Sequence, residues 1–443
     1  TGIVRHDRTS RFKNGGTFPT VMAAWRISQE SFFKSMLNGS QTVNDLKLRA
    51  SWGKLGNQNT TDNPYAAYST YGPQDLNSNY DIYSTNTTVD QGFSVINRGN
   101  PFLKWETTTQ MNLGFDATLF SDKLTLSLDV YNKDTKDLLD NPPGILAIGE
   151  GTAPYVNLAK VNNKGLDVSL TYAIGNTDSD FSVSNSFNFS IYKNKIVELK
   201  DIYPLGNDGE RYTNKEVRIA EGRQLGEFYG WINDGIFQNQ AEVDAHATQI
   251  GKGIGRLRYR DVNGDGVINE GDRTYIGSPH PDFTLGLNNS FRYKKLYLDL
   301  FWYASIGNKI FNTTKWVTDF AQNGTYNRRA EILNAWSEEN TSATIPKLTL
   351  DDGGNDEGRS SSYYVEDGSF LKLRTFRLGY EFAASWLGGN TLSMYGEVQN
   401  AFRITKYSGV DPELPQTFRN AIGIDAAAYP LPRIFIFGVN IKI

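Results

Sequence analysis

The sequence predicts an all-β protein, a transmembrane antiparallel β-barrel, and three observations lead to this prediction. Apolar and polar residues alternate with a period of two along much of the 443-residue chain, as in strands with one apolar and one polar face. Aromatic residues reach 13% while mean hydropathy is only −0.48, a combination that membrane strands produce. The predicted connections alternate between short turns and long loops, which is the topology of outer-membrane barrels.

About twelve strands follow from the alternation, most of them with one apolar face. Two less regular candidates at about 1–12 and 17–27 come first, and residues 30–37 after them form a predicted short amphipathic helix. The remaining strands are predicted at Leu46 to Trp52, Met111 to Leu119, Leu124 to Val130, Leu166 to Tyr172, Phe187 to Ile191, Phe283 to Phe291, Leu296 to Trp302, about 369–382, Leu392 to Val398 and Phe435 to Ile443.

The lengths of the connections favour a barrel over a soluble sandwich, which would show the same alternation with its apolar face inward. Short turns are predicted near 120–122, 175–178, 294–295 and 386–390, and long links at about 56–102, 139–155, 199–282, 309–368 and 405–431, with an intermediate one at about 28–44. The long loops are therefore expected outside the cell and the short turns in the periplasm. Interfacial aromatic girdles are predicted from residues near strand ends: Trp25, Trp52, Phe291, Tyr293 and Trp302.

Composition excludes several classes of protein. No run approaches the roughly 18–20 apolar residues of a membrane-spanning helix. Cysteine is absent, which excludes disulfides, thiolate metal sites and cysteine nucleophiles. The histidines His6, His246 and His280 have neither metal-motif nor triad spacing. The net charge of −4 is not typical of a protein that binds nucleic acid. The first residues form no signal peptide, so the chain is expected to begin after processing or to be the C-terminal piece of a longer protein.

One loop motif has the spacing of a calcium site. Oxygen-bearing side chains recur at positions 1, 3, 5, 9 and 12 of a twelve-residue loop, a glycine at position 6 permits the sharp turn, and position 7 offers its carbonyl. The predicted ligands are Asp261, Asn263, Asp265, Val267, Asn269 and Asp272. Aspartate instead of glutamate at position 12 resembles dockerin-type loops and shortens the reach to the ion. The alternative is an Asn/Asp/Gly-rich turn that orders the loop without metal.

Aromatic residues in the long loops are candidates for contact with a substrate or a partner. Aromatic faces beside amides and carboxylates can hold sugars by stacking and oriented hydrogen bonds, and they also suit protein interfaces. The alternative is that these loop residues pack on one another. The candidates are Tyr71, Tyr83, Trp316, Phe320, Tyr326 and Trp336.

Seven segments, in order along the chain, carry a family resemblance. They lie at 18–28, 46–58, 100–110, 228–238, 261–277, 366–374 and 429–433, and include Asn100-Pro101-Phe102-Leu103-Lys104-Trp105-Glu106, Phe228-Tyr229-Gly230-Trp231 and Tyr429-Pro430-Leu431-Pro432-Arg433. Together the segments resemble the SusC/RagA-like TonB-dependent outer-membrane transporters of Bacteroidetes.

The resemblance implies a barrel of roughly 22 strands, of which residues 1–443 would be the C-terminal half. It further implies a plug, energy coupling through TonB and a TonB box, a SusD-like surface lipoprotein as lid, contact with outer-membrane lipid, and import of oligosaccharides or peptides without enzymatic activity. The plug, TonB box and N-terminal extension are not recognisable here, and Ile443 replaces the common terminal aromatic residue. No cofactor is required, apart from possible Ca²⁺. The polar lumen wall is expected to comprise Lys47, Arg49, Gln110, Asp116, Asp129, Asp167, Asn188, Asn288, Arg292, Asp299, Glu397 and Gln399.

Three other interpretations remain open on the residues alone. A soluble or surface all-β glycan-binding module would bury the Phe435 to Ile443 stripe. A passive porin would share the barrel but lack a plug. A surface glycan hydrolase would need two carboxylates ~5–9 Å apart across a sugar, and nothing in the sequence places pairs such as Asp351-Asp352 or Glu338-Glu339 in that arrangement.

Overall fold

The structure is a computed structural model that describes residues 1–37, 42–59, 63–73, 79–81, 90–140, 154–175, 179–200, 216–322, 326–383, 391–414 and 422–442. In chain order the strands are β1 Gly2–Asp7, β2 Gly16–Arg26, β3 Val43–Asn57, β4 Thr70–Pro73, β5 Asn79–Tyr80, β6 Asp90–Gln91, β7 Phe93–Asn97, β8 Glu106–Leu119, β9 Leu124–Asp140, β10 Val156–Ile174, β11 Phe181–Leu199, β12 Phe228–Gly230, β13 Asn233–Ile236, β14 Leu257–Tyr259, β15 Thr274–Gly277, β16 Phe283–Tyr293, β17 Leu296–Ile306, β18 Lys309–Asn312, β19 Val365–Asp367, β20 Phe370–Ala383, β21 Thr391–Thr405, β22 Ile424–Asp425 and β23 Ile434–Lys442. The α-helices are α1 Ser31–Leu37, α2 Gln240–Ala245 and α3 Thr314–Thr318.

Twelve long strands form one antiparallel sheet in the order β1-β2-β3-β8-β9-β10-β11-β16-β17-β20-β21-β23. Neighbours in the sheet are therefore consecutive long strands of the chain, which is the meander of an up-and-down barrel. This arrangement confirms the predicted barrel strands and the twelve-strand count. None of the helices in the described residues is long and apolar enough to span a membrane.

The first strand is shorter than the alternation predicts. It ends at Asp7 instead of near residue 12, because Phe12 turns into a small core and is only 3% exposed. There its ring lies 5.1 Å from the ring of Trp105. Burial of this large ring against Trp105 stabilises the turn away from the sheet.

Short connections occupy one end of the sheet, as predicted. Residues 120–123, 175–180 and 294–295 join consecutive strand pairs, and Lys294 takes the left-handed conformation, with φ of 53°, that a two-residue hairpin turn requires. The connection at 27–42 belongs to the same end and contains the predicted short helix, α1. The turn predicted at 386–390 lies outside the described residues.

One face of the sheet is apolar, and no layer of the described residues covers it. The register places Phe181, Tyr293, Leu296 and Tyr380 in one row across four strands beside the short turns. All four are more than 40% exposed. Three of the four are aromatic, and exposed aromatic residues at one height are the pattern of an interfacial girdle. The five predicted girdle residues also project from this face, by the same alternation.

Three of the connections at the other end fold together instead of running as separate loops. The described parts of 216–282, 307–369 and 406–433, here called the loop domain, contain small sheets formed by β12 with β15, β13 with β14, and β18 with β19 and β22. These strands have only two to four residues. They surround an apolar core contributed by all three segments, which includes Phe228, Tyr259, Phe311, Tyr364 and Ile424.

Candidate functional site

The inner face of the sheet is rich in polar side chains from β3 to β21. Cross-strand register connects Arg49 through Gly114 to Asp129, Asp167 and Ser190. The same alternation places all twelve predicted lumen-wall residues on this face. Side chains alternate strictly between the two faces of a sheet. A shift of one residue in the predicted alternation would therefore have placed all the predicted lumen residues of that strand on the outer face.

Arg49 links three strands of the inner face. Its Nε donates to Asp116 Oδ2 at 2.7 Å, its Nη1 donates to Asp129 Oδ1 at 2.9 Å, and its Nη2 donates to Asp129 Oδ2 at 2.8 Å. Ser127 Oγ donates to Asp116 Oδ1 at 2.8 Å. Gly114 lies between the partners, and a Cβ there would approach Arg49 Cζ to 2.5 Å. Glycine at this position therefore leaves the room that the bidentate guanidinium needs.

A groove runs beside this network over β9, β10, β11, β16 and β17. Carboxylate and amide groups line it together with two aromatic rings, and the lining includes Asp129, Asp167, Asn188, Asn288, Phe301 and Tyr303. The Asp167 carboxylate accepts a hydrogen bond of 2.5 Å from Ser190 Oγ and is otherwise exposed. The groove thus presents hydrogen-bonding groups and ring faces together, an arrangement suited to polar oligomers.

A second ionic network ties the loop domain to the inner face. Lys372 on β20 is 2% exposed; its Nζ lies 2.8 Å from Glu413 Oε2 and 3.6 Å from Asp411 Oδ2. Arg403 Nη1 lies 3.1 Å from Asp411 Oδ1, and Arg374 also pairs with Glu413. The segment that carries the two acidic residues is therefore held against the wall. Sequence reasoning missed this contact, because nothing local indicates which charge a loop carboxylate will meet.

Two loop-domain contacts involve ionisable groups, the half-buried His280 and the buried Glu357. His280 lies between Tyr192 Oη, 3.0 Å from its Nδ1, and the Leu225 carbonyl oxygen, 2.7 Å from its Nε2. Burial lowers the pKa of His280, which favours the neutral ring. Burial raises the pKa of Glu357, and Arg256, whose Nη1 is 3.1 Å away, opposes that shift.

The predicted aromatic contact residues differ in their exposure to solvent. Phe320 and Trp336 are 2% and 5% exposed and belong to the loop-domain core, so the prediction that they contact a substrate or partner is wrong. Both rings pack against other loop residues, which was the alternative interpretation of these aromatic residues. Tyr71 and Tyr326 are 68% and 56% exposed and stay candidates.

The two other predicted aromatic residues have different outcomes. Trp316 lies on α3 and packs partly buried against the same core. Tyr83 lies outside the described residues.

The calcium-like loop has the hydrogen bonds of an Asx-rich turn. Asp261 Oδ1 and Oδ2 accept from Gly264 and Gly266 N–H at 2.7 and 2.8 Å, and Asp265 Oδ1 accepts from Val267 N–H at 2.8 Å. Asp272 is fully buried and caps a 3₁₀ turn with the side chain of Asn269. Asp265 Oδ2 accepts from both Asn263 Nδ2 and Asn269 Nδ2, at 3.0 and 3.4 Å, so these amides hydrogen-bond within the loop. The described residues include no cluster of three carboxylate or imidazole side chains around one point, and calcium binding stays a prediction.

The chain resembles receptors of known name. A family model described as "TonB dependent receptor-like, beta-barrel" matches residues 2–294. TonB-dependent receptor P3 of Formosa agariphila is 34% identical over 466 residues, covering 100% of this chain and 44% of that receptor. TonB-dependent receptor SusC of Bacteroides thetaiotaomicron is 28% identical and covers 100% and 42% respectively. These relatives are named as receptors rather than as enzymes.

A solved structure has the same fold. The structure titled as that of the RagAB peptide transporter superposes with a TM-score of 0.79 at 24% identity, over 99% of this chain and 45% of that one. The chain therefore spans less than half the length of the relatives that it matches. Because the family model covers more than half of its residues, and the twelve-stranded meander has the corresponding fold, the chain belongs to the TonB-dependent receptor-like β-barrel family.

Proposed function

We propose that the chain is the C-terminal part of the barrel of an outer-membrane importer that takes up oligomeric nutrients, glycans or peptides. The observation that carries the proposal is the continuous polar inner face with its groove beside Asp167 and Asn188. The names of the relatives support it, since one is the receptor SusC and another the RagAB peptide transporter.

The groove supplies the interactions that an oligomer needs during passage. Asp167, Asn188 and Asn288 offer donors and acceptors to hydroxyl or amide groups, while Phe301 and Tyr303 offer ring faces to sugar rings or apolar side chains. The Arg49 network beside the groove neutralises Asp116 and Asp129. Net attraction to a substrate then stays moderate, and release into the periplasm remains fast.

The partners follow from the same proposal. TonB would act through the plug domain of the full-length protein, and a SusD-like surface lipoprotein would cover the outer end of the barrel at the loop domain. Exposed loop residues such as Tyr71 and Tyr326 are candidates for contact with that lid or with the substrate. Calcium, bound at residues 261–272, would order the loop domain and take no part in transport chemistry.

Uptake measurements with the full-length receptor test this function. Cells that express it should accumulate labelled members of an oligosaccharide or a peptide panel, and a protonophore should abolish accumulation, since TonB coupling uses the proton gradient. Asp167→Asn should lower accumulation severalfold because it removes a groove carboxylate. Asp180→Asn, at an exposed short-turn carboxylate, is the matched control. Uptake that persists after the gradient collapses would favour a passive porin, and unchanged uptake after deletion of the receptor would refute import.

A further inference from the structure

The outward face changes from apolar to basic toward the long-loop end of β10 and β11. Leu166 pairs in register with Ile191, and one outward step further along the two strands Lys164 pairs with Lys193. The following outward position on β11 is Lys195. All three lysines are exposed. Outward positions lie about 7 Å apart along a strand, so the charges begin directly above the last apolar row.

The three lysines, here called the lysine triad, have no ionic partner among the described residues. No carboxylate of the described chain lies within 4.0 Å of Lys164, Lys193 or Lys195, whereas many other cations of the sheet are paired. The outward carboxylate in the row of Lys195 is Asp134, and its Oδ1 accepts from Asn162 Nδ2 at 3.0 Å. Like charges directly opposite each other on neighbouring strands destabilise the pair. An anion shared between Lys164 and Lys193 would remove that repulsion.

An apolar groove lies directly below the triad on the same face. Leu113, Val130, Leu166 and Ile191 form one row of its lining, and Met111, Asn132, Lys164 and Lys193 form the next row toward the long-loop end. Met111, Leu113 and Val130 are 56%, 65% and 49% exposed. An apolar surface bordered by two lysines is complementary to an amphiphile with an acyl chain and an anionic head.

We propose that this groove and the lysine triad bind a phosphate-bearing lipid of the outer leaflet. An acyl chain would lie against the apolar row of the groove, and the phosphate would lie between Lys164 and Lys193, with Lys195 above it. The long-loop end of an outer-membrane barrel faces outward, which assigns the site to the outer leaflet, and basic residues beside an apolar surface attract anionic headgroups. The inference rests on the outer-membrane location proposed above and adds a lipid ligand to it.

Native mass spectrometry of the full-length receptor in detergent tests the proposal. The probes are a phosphorylated, multiply acylated disaccharide lipid and the same lipid without phosphate. Wild-type protein should retain the phosphorylated lipid, and the variant Lys164→Gln/Lys193→Gln/Lys195→Gln should retain it at least about tenfold less. Lys164→Arg/Lys193→Arg/Lys195→Arg should restore retention. Lys123→Gln/Lys294→Gln/Lys295→Gln, at the short-turn end, removes the same charge and should leave retention unchanged.

Three results would overturn the proposal. The first is equal retention of the phosphorylated and unphosphorylated lipids by the wild-type protein. The second is an equal loss of the phosphorylated lipid in the short-turn variant. The third is complete displacement of the lipid by inorganic phosphate at the same concentration, which would indicate a free-phosphate site. Membrane fractionation and oligomer uptake of the same variants keep the two proposals apart. If the lysine variant loses lipid but keeps its membrane location and its uptake, the lipid proposal is supported independently of the proposed function. If the wild-type protein does not enter the outer membrane, the proposed function itself is contradicted.

Discussion

The Arg49 guanidinium joins β3, β8 and β9 on the inner face, and its removal should be costly. Arg49→Met leaves Asp116 and Asp129 without their shared cation, so we expect a loss of about 1–3 kcal/mol in the free energy of unfolding. Urea titration of the full-length receptor in detergent measures this change. Arg5→Met breaks an exposed pair with Asp7 and serves as the control, with little expected change.

A further variant distinguishes two causes of the lost stability, the unpaired carboxylates and the lost packing of the Arg49 side chain. Adding Asp116→Asn and Asp129→Asn to Arg49→Met removes the uncompensated charges and should recover much of the stability. Equal midpoints for wild type and Arg49→Met would contradict a structural role for the network.

Alternation predicted single side chains well on the sheet and poorly in the loops. All twelve expected lumen residues lie on the inner face, because facing in a strand follows from position alone. Phe320 and Trp336 are buried although they lie in predicted loops. Exposure there depends on which distant segments pack against a ring, and no local period encodes it. The pairing of Lys372 with Glu413 is unpredictable for the same reason.

Among the individual elements, the loop at 261–272 makes the most direct prediction. If it binds calcium, millimolar Ca²⁺ should protect it from limited proteolysis, and a chelator should reverse the protection. Asp265→Ala should abolish the calcium effect, since Asp265 supplies position 5. Asp244→Ala, which removes an exposed α2 carboxylate hydrogen-bonded to Gln240, should retain it. Identical cleavage with Ca²⁺ and with chelator would identify an Asx-rich turn that needs no metal.

The loop domain is the element that the sequence did not predict as a unit. Its strands have two to four residues, too few for a period to appear. Its central sheet pairs β18 in parallel with β22 and antiparallel with β19, so its hydrogen bonds join segments distant in the chain. The available signal was a high density of aromatic residues in nominal loops, such as Phe228, Trp231 and Phe311.

For the molecule as a whole, neighbouring residues of β10 distinguish a membrane barrel from a soluble sandwich. Val168 projects outward and Ser169 inward, and the chain has no cysteine of its own. In outer membranes, a thiol at Val168→Cys should react with a lipid-soluble maleimide, and one at Ser169→Cys with a water-soluble maleimide. Labelled fractions on denaturing gels measure both.

The soluble alternative makes the opposite prediction for one of these thiols. In a sandwich, Val168 would lie in a protein core and would react with neither reagent until the protein unfolds. If Val168→Cys behaves in this way, in protein that is soluble without detergent, the conclusion that the strands span a membrane would be contradicted.

The twelve strands, their facing and the alternation of short and long connections follow from the order of residues, because each depends on a period of two or on local turn chemistry. The seven segments likewise indicate the family from the residues alone. Tertiary structure decided the rest: the assembly of three long loops around one core, the burial of Phe320 and Trp336, and the placing of Lys164 opposite Lys193 above an apolar groove. These features depend on contacts between distant segments and on strand register, which local periodicity does not specify.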